Sequence, residues 1–130
     1  MNYKIYKDQN LLIDYMEGDV NLQMLIDITL TEQADPDFIN VKRILSDIRN
    51  AKLNVSVDQL NQFLGFLKSG EITPDFKWAI VTENPHSTAL SILLKQDEIF
   101  RKVVGVFSSV KAAAQFLGVK ADESMIVKNL

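Results

Sequence analysis

The chain has 130 residues, 47% hydrophobic and 24% charged, with a formal net charge of -3 at pH 7, the composition of one compact domain that removes roughly two thirds of its unfolded surface from water. It contains no cysteine, which excludes disulfides, thiolate catalysis and thiolate metal ligation together. No apolar run approaches the roughly 20 residues of a membrane span and no secretory signal is legible, so the expectation is a cytoplasmic protein without a membrane span; scattered charge without a basic cluster argues against nucleic acid as a partner.

Tyr3 to Lys7 and Leu11 to Glu17 are β-rich runs separated by the turn residues Asp8, Gln9 and Asn10, the pattern of an antiparallel hairpin. In the second run Leu11, Ile13 and Tyr15 alternate with Leu12, Asp14 and Met16, so one face is uniformly apolar and the other mixed. Gly18 and Asp19 end that strand, with Asp19 placed to cap a helix. The helix spans Val20 to about Gln33 on a wide stripe that includes Leu22, Leu25 and Ile26, and Pro36 prevents its continuation. Phe38 to Val41 reads as a connector.

Arg43 to Ile48 is a third strand, apolar on both faces at Ile44 and Leu45 as a central parallel strand requires, and it stops at Asp47, Arg49 and Asn50. Ser56-Val-Asp-Gln59 matches a capping box, after which Val57, Leu60, Phe63, Leu64 and Leu67 keep helical spacing to Gly70. Phe66 falls off that stripe and faces a neighbour. Phe76 to Thr82 is a fourth strand, and Asn84-Pro85 supplies the cap and first-turn proline of a third helix reaching about Phe100. Val103 to Phe107 is a fifth strand; Ser108 and Ser109 open a fourth helix, with Ala112, Ala113, Phe116 and Leu117 on one face, ended by Gly118. Residues 119–130 form a charged tail whose apolar patch, Met125 to Val127, is suited to docking on the body or on a second copy. Strand and helix alternate from the second strand onward. That predicts an α/β fold, a mixed five-stranded sheet with an edge hairpin and parallel strands joined by right-handed crossovers, covered by four helices.

Open α/β sheets bind ligands beyond the carboxyl ends of their strands. The expected candidates there are Asp47, Arg49, Asn50 and Ser56 after the third strand, Asn84 and His86 after the fourth, and Ser108 after the fifth. Helix N-termini at that edge favour negative charge by about 0.3 to 1 kcal/mol each, so a small anion beside Arg49 is one expectation. The plainer one is a set of helix caps with an Asp47/Arg49 ion pair.

Catalysis finds little support. A carboxylate beside Arg49 is held toward its ionised form, which disfavours Asp47 as a general base. His86 is the single histidine; it falls in the first turn of a helix, where the dipole disfavours its charged form, and no nucleophile is spaced to use it. One histidine cannot supply a pair or triad of metal ligands, the carboxylates lack calcium-loop spacing, and the glycines are too isolated for a phosphate loop or a dinucleotide fingerprint. No metal and no cofactor is expected. Phe76 and Trp78 alternate along a strand, as core residues do, whereas Phe66, Phe100 and the Met125 to Val127 patch are candidates for a partner surface, a homodimer included.

The order of elements, the strand ending Ser46-Asp47-Ile48-Arg49-Asn50-Ala51, and Val106 to Leu117, in which a serine cap precedes small residues and an aromatic, resemble the SpoIIAA-like branch of the STAS-like superfamily over residues 1–118. The resemblance implies a relative of anti-sigma factor antagonists and, more distantly, of the lipid-binding lobe of CRAL-TRIO proteins, which bind partners or ligands and do not catalyse. In the antagonists a kinase phosphorylates a serine directly after an aspartate, just before the second helix, and the added charge weakens binding. Here Ile48 follows Asp47, so the switch is missing from that place; Ser56, the nearest substitute, sits in a capping box. The resemblance therefore implies a non-enzymatic regulatory or protein-interaction domain that engages another protein or itself through the third-strand loop and second helix, with Asp47, Arg49 and Phe66 in the surface. The alternative is a binder of an anionic or lipid-like small molecule between the second and third helices and the sheet, with Arg49 beside Phe63, Leu67 and Leu90.

Overall fold

A computed structural model describes residues 2–70 and 75–128. Its strands are β1 (Asn2–Tyr6), β2 (Leu11–Val20), β3 (Arg43–Leu53), β4 (Lys77–Val81) and β5 (Val104–Phe107), lying side by side in chain order in one sheet. β1 pairs antiparallel with β2, and every later pair is parallel. The helices are α1 (Leu22–Ala34), α2 (Val57–Lys68), α3 (Pro85–Lys95) and α4 (Val110–Leu117). The α/β fold with a mixed five-stranded sheet is thus the one the alternation of patterns predicts.

Strand order determines where the helices lie. Each crossover from β2 to β5 steps to the next strand in the same direction, so right-handed connections stack α1, α2 and α3 on one face. Met16, Leu25, Ile28, Ile48, Phe63, Ile80, Leu90 and Phe100 pack together on that face. α4 follows the last strand and lies on the other face, where Val110, Ala113 and Leu117 meet Leu11, Ile13, Leu45, Ala79 and Val81. Gly118 takes a left-handed φ of 69° at the α4 C-cap, a conformation that favours glycine.

Several boundaries differ from the sequence reading. β3 does not stop at Asp47; it continues through Arg49 and Asn50 to Leu53, because β2 also runs on to Val20 and supplies a pairing partner. β4 accompanies β3 only as far as Val81 opposite Asp47, so β2 and β3 project beyond it as a two-stranded extension. Asp19 lies in that extension, and Asn21 caps α1 instead, its side chain accepting from the Met24 N–H at 2.9 Å. α3 ends at Lys95; Asp97 accepts the Ile99 N–H at 2.9 Å and starts a separate turn that buries Phe100.

Residues 119–128 dock on the body. Ile126 is buried among the α4-face residues. Tyr6 Oη donates to the Met125 carbonyl at 2.5 Å, and Gln9 exchanges two hydrogen bonds with the Lys120 backbone at 2.7 and 2.6 Å. Of the two docking sites expected for the Met125 to Val127 patch, the segment uses the body; residues 129–130 of the tail lie outside the described residues.

Candidate functional site

The polar residues expected at one sheet edge serve separate local purposes. Ser56 caps α2 in a complete capping box, accepting the Gln59 N–H at 3.1 Å while the Gln59 side chain accepts the Ser56 N–H at 3.0 Å. Asn84 caps α3, accepting from the N–H groups of His86 and Ser87 at 2.9 and 3.1 Å. His86 is exposed in the first turn, and Ser108 is exposed beside Ser109, which is the residue that caps α4. Phe66 is half-buried and stacks on Phe63 with ring centroids 6.4 Å apart. Phe100, expected as a partner surface, is instead 2% exposed and meets Trp78 edge-on, because the turn after α3 folds it under the helices.

Asp47 and Arg49 are paired, but inside the sheet rather than in a loop. The register between β2 and β3 shifts by one residue between Tyr15/Asp47 and Glu17/Asn50, a β-bulge, which re-aims side chains and frees backbone groups. Ile48 and Ala51 both reach the α1–α3 core, while Arg49 turns to the α4 face. Asp47, fully buried, accepts there from the Arg49 N–H at 3.1 Å, Nε at 2.9 Å and Nη2 at 3.0 Å. The other side of the same guanidinium holds both Glu123 oxygens at 2.7 Å. Glu123 first and Asp47 second hold the Arg49 proton more tightly than usual, and Arg49 in turn keeps Glu123 below the ordinary carboxylate range. Asn50 donates to Tyr15 Oη at 3.0 Å. The expected meeting of Arg49 with Phe63, Leu67 and Leu90 is therefore not formed, since the sheet stands between Arg49 and the three helices. This network clamps the C-terminal segment.

On the opposite face lies a cavity of about 440 Å³ between α1, α2, the 3-10 turn Pro36–Asn40 and the first halves of β2, β3 and β4. Small-molecule sites commonly occupy this size range. Its walls are largely apolar, with Leu25, Ile28, Phe63, Leu67 and Trp78 among them, and Ile39, 82% exposed, stands at the rim. Asp14 from β2 and Glu32 from the last turns of α1 also line it, each 5% exposed. Ser46 lies opposite Asp14 across the β2–β3 ladder and accepts the Trp78 indole N–H at 3.0 Å.

Asp14 and Glu32 are the unusual groups. Among the described residues no N–H or O–H meets Asp14 Oδ1 or Glu32 Oε2, although native structures satisfy nearly all buried polar atoms. Burial, then the Asp14 charge and a hydrogen bond to it, push the Glu32 carboxyl up to about 11. Burial also raises Asp14, against hydrogen bonds from Glu32 and Ser46 that favour its ionised form. Glu32 is thus the member that keeps a proton at neutral pH, and Asp14 the member that accepts from it.

Of the residues expected at a site, Phe63 and Leu67 from the small-molecule alternative and Phe100 from the partner surface line this cavity, whereas Asp47, Arg49, Asn50, Ser56, Phe66, Asn84, His86 and Ser108 do not. Two signals pointed to it. Asp14 interrupts an otherwise apolar run, and Glu32 falls four residues after Ile28, on the buried stripe of α1. Neither signal shows by itself that the two carboxyls meet, because they come from different elements.

An α/β sheet with three helices on one face, a cavity beneath two of them and a pair of buried carboxyls is what fold and site together define. No protein-family model and no curated protein matches the chain. No described helix is long and apolar enough to cross a membrane.

Proposed function

We propose that the chain is a non-enzymatic regulatory domain, related to the SpoIIAA-like branch of the STAS-like superfamily, whose signal is a small, mainly apolar molecule held in the α1/α2 cavity. The observation that carries the reading is the cavity itself: a space of about 440 Å³ walled largely by apolar side chains, where protein interiors ordinarily leave few voids larger than a water molecule. Support for a lipid-like occupant comes from the apolar walls. An anionic one loses its support at Arg49, whose guanidinium is engaged by two carboxylates on the other face. The family resemblance supports a cytoplasmic protein partner or a second copy as the reader of the bound state, and Ile39 at the cavity rim is the exposed apolar residue nearest that role.

Native mass spectrometry of protein purified from its own host tests the reading. A non-covalent adduct that disappears on denaturation is expected, and Thr29→Trp, which fills the cavity from a half-buried α1 position, is expected to abolish it while leaving the circular dichroism spectrum unchanged. A wild-type protein that is ligand-free in every preparation overturns the proposal.

A further inference from the structure

The polar end of the cavity is built around two carboxyls, Asp14 and Glu32. Among the described residues Asp14 Oδ1 and Glu32 Oε2 have no donor, and both residues are only 5% exposed. The Ser46 hydroxyl, opposite Asp14 on the neighbouring strand, already accepts from Trp78. One proton held between two carboxyls leaves the pair with a single negative charge, since both cannot ionise at contact distance. Among the described residues no cation forms a salt bridge with either group; the arginine and lysine bridges go to Asp37, Asp47, Glu123 and Asp97. Asp47 across the sheet adds a further negative charge to the field at Asp14. A buried charge without a partner is strongly unfavourable, and its relief is a source of binding free energy.

We propose that the cavity's ligand carries a primary ammonium group on an apolar body, with the ammonium donating to Asp14 and Glu32 and the body lying against Phe63, Trp78 and Ile28. The inference deepens the ligand-binding reading and rests on it. An ammonium has three donors and no acceptor, which matches two orphaned acceptors; a hydroxyl has a single donor, and a carboxylate would add a like charge. A hard divalent cation demands about six or more oxygen ligands, beyond what two carboxyls and one engaged hydroxyl supply. Trp78 and Phe100 line the same cavity and supply aromatic surface for the apolar body. Lys42 on the cavity wall is the group through which an anionic ligand would compete.

Three molecules with one body and different heads separate the outcomes: n-octylamine, 1-octanol and octanoate. Trp78 is the single tryptophan and lines the cavity, so its emission reports occupancy without a label. At pH 7.5 octylamine is expected to bind at least about tenfold more tightly than octanol, the effect of one charge-assisted hydrogen bond, with octanoate the weakest. Asp14→Asn, which conserves side-chain volume and removes the pair's negative charge, is expected to remove that preference while retaining octanol binding, which also shows that the cavity is still formed. If Asp14→Asn does not fold, Asp14→Ser takes its place. Octanol binding as tightly as octylamine, or an amine preference that survives neutralisation of Asp14, overturns the ammonium assignment and leaves the ligand-binding reading standing. Octanoate binding most tightly, with loss of that binding in Lys42→Ala, overturns it in favour of an anion. No response of Trp78 to any of the three overturns both.

Discussion

Two buried aspartates, Asp14 and Asp47, sit on adjacent strands of one sheet and face opposite sides, and their surroundings could hardly differ more. Asp47 is enclosed by the hydrogen bonds of Arg49, which Glu123 completes from the C-terminal segment. Asp14 faces a cavity and has for company a second carboxyl, Glu32, with an orphaned oxygen on each. A saturated network of charges rigidifies what it joins, whereas an unsaturated one stores unfavourable free energy that a ligand can release. The α4 face is thus the structural side of the sheet, and the α1–α2 face is the side with unspent chemistry.

The contrast breaks most readily at Arg49. Arg49→Ala leaves Asp47 buried without its counter-charge and is expected to cost about 3–5 kcal/mol in urea unfolding; a loss below about 1 kcal/mol would show that Asp47 is not held as described. Ile126→Ala, also on the α4 face, removes a buried side chain and is expected to cost about 2–3 kcal/mol, with a lower urea midpoint and unchanged m-value if the segment stays docked. Glu32→Gln on the cavity face should act in the opposite sense, raising stability by about 1–2 kcal/mol at pH 8, because an amide N–H supplies permanently what Glu32 supplies only when protonated. The smallest effect is expected from Ser56→Ala, about 1 kcal/mol through loss of the α2 cap, a reference point that belongs to neither face.

The two faces also titrate in opposite directions. Glu32 has a folded-state pKa near 11, above its ordinary 4.5, so its contribution is fully present below about pH 4.5 and is lost as pH rises toward 11; stability falls with pH in that window by at most about 1.4 kcal/mol per unit for one proton. Asp14 is raised in the same sense, mainly by burial. Lys42 on the cavity wall and Asp47 across the sheet complete the charges around the pair, and Tyr3 on β1 is raised partly by Glu32. Glu123 is lowered by Arg49, so its contribution is present above its ordinary value and lost as pH falls through the lowered one. Urea midpoints measured from pH 5 to 9 should decline in the wild type and flatten in Glu32→Gln; parallel curves would refute the assignment of the proton to Glu32.

Local chemistry determined much of this protein in advance. The alternation of apolar periods set the α/β class and the order of elements; Ser56-Val-Asp-Gln59 and Asn84-Pro85 marked two helix starts, since a cap acts within four residues and needs no distant partner. The Asp47/Arg49 pair was legible for the same reason, being two residues apart. Its location was not. The charged end of β3 looks like a loop until β2 is seen to extend beside it and a bulge turns Arg49 toward Glu123, 74 residues away. The cavity was the least legible feature: Asp14 and Glu32 each look like a single irregularity in an apolar pattern, and only the crossover that lays α1 over β2 brings them together. Sequence determined which residues are apolar, capped or paired nearby, because those preferences act over one or two turns of chain. Tertiary structure alone decided which charges are answered and which are left open, because that depends on groups joined only by folding.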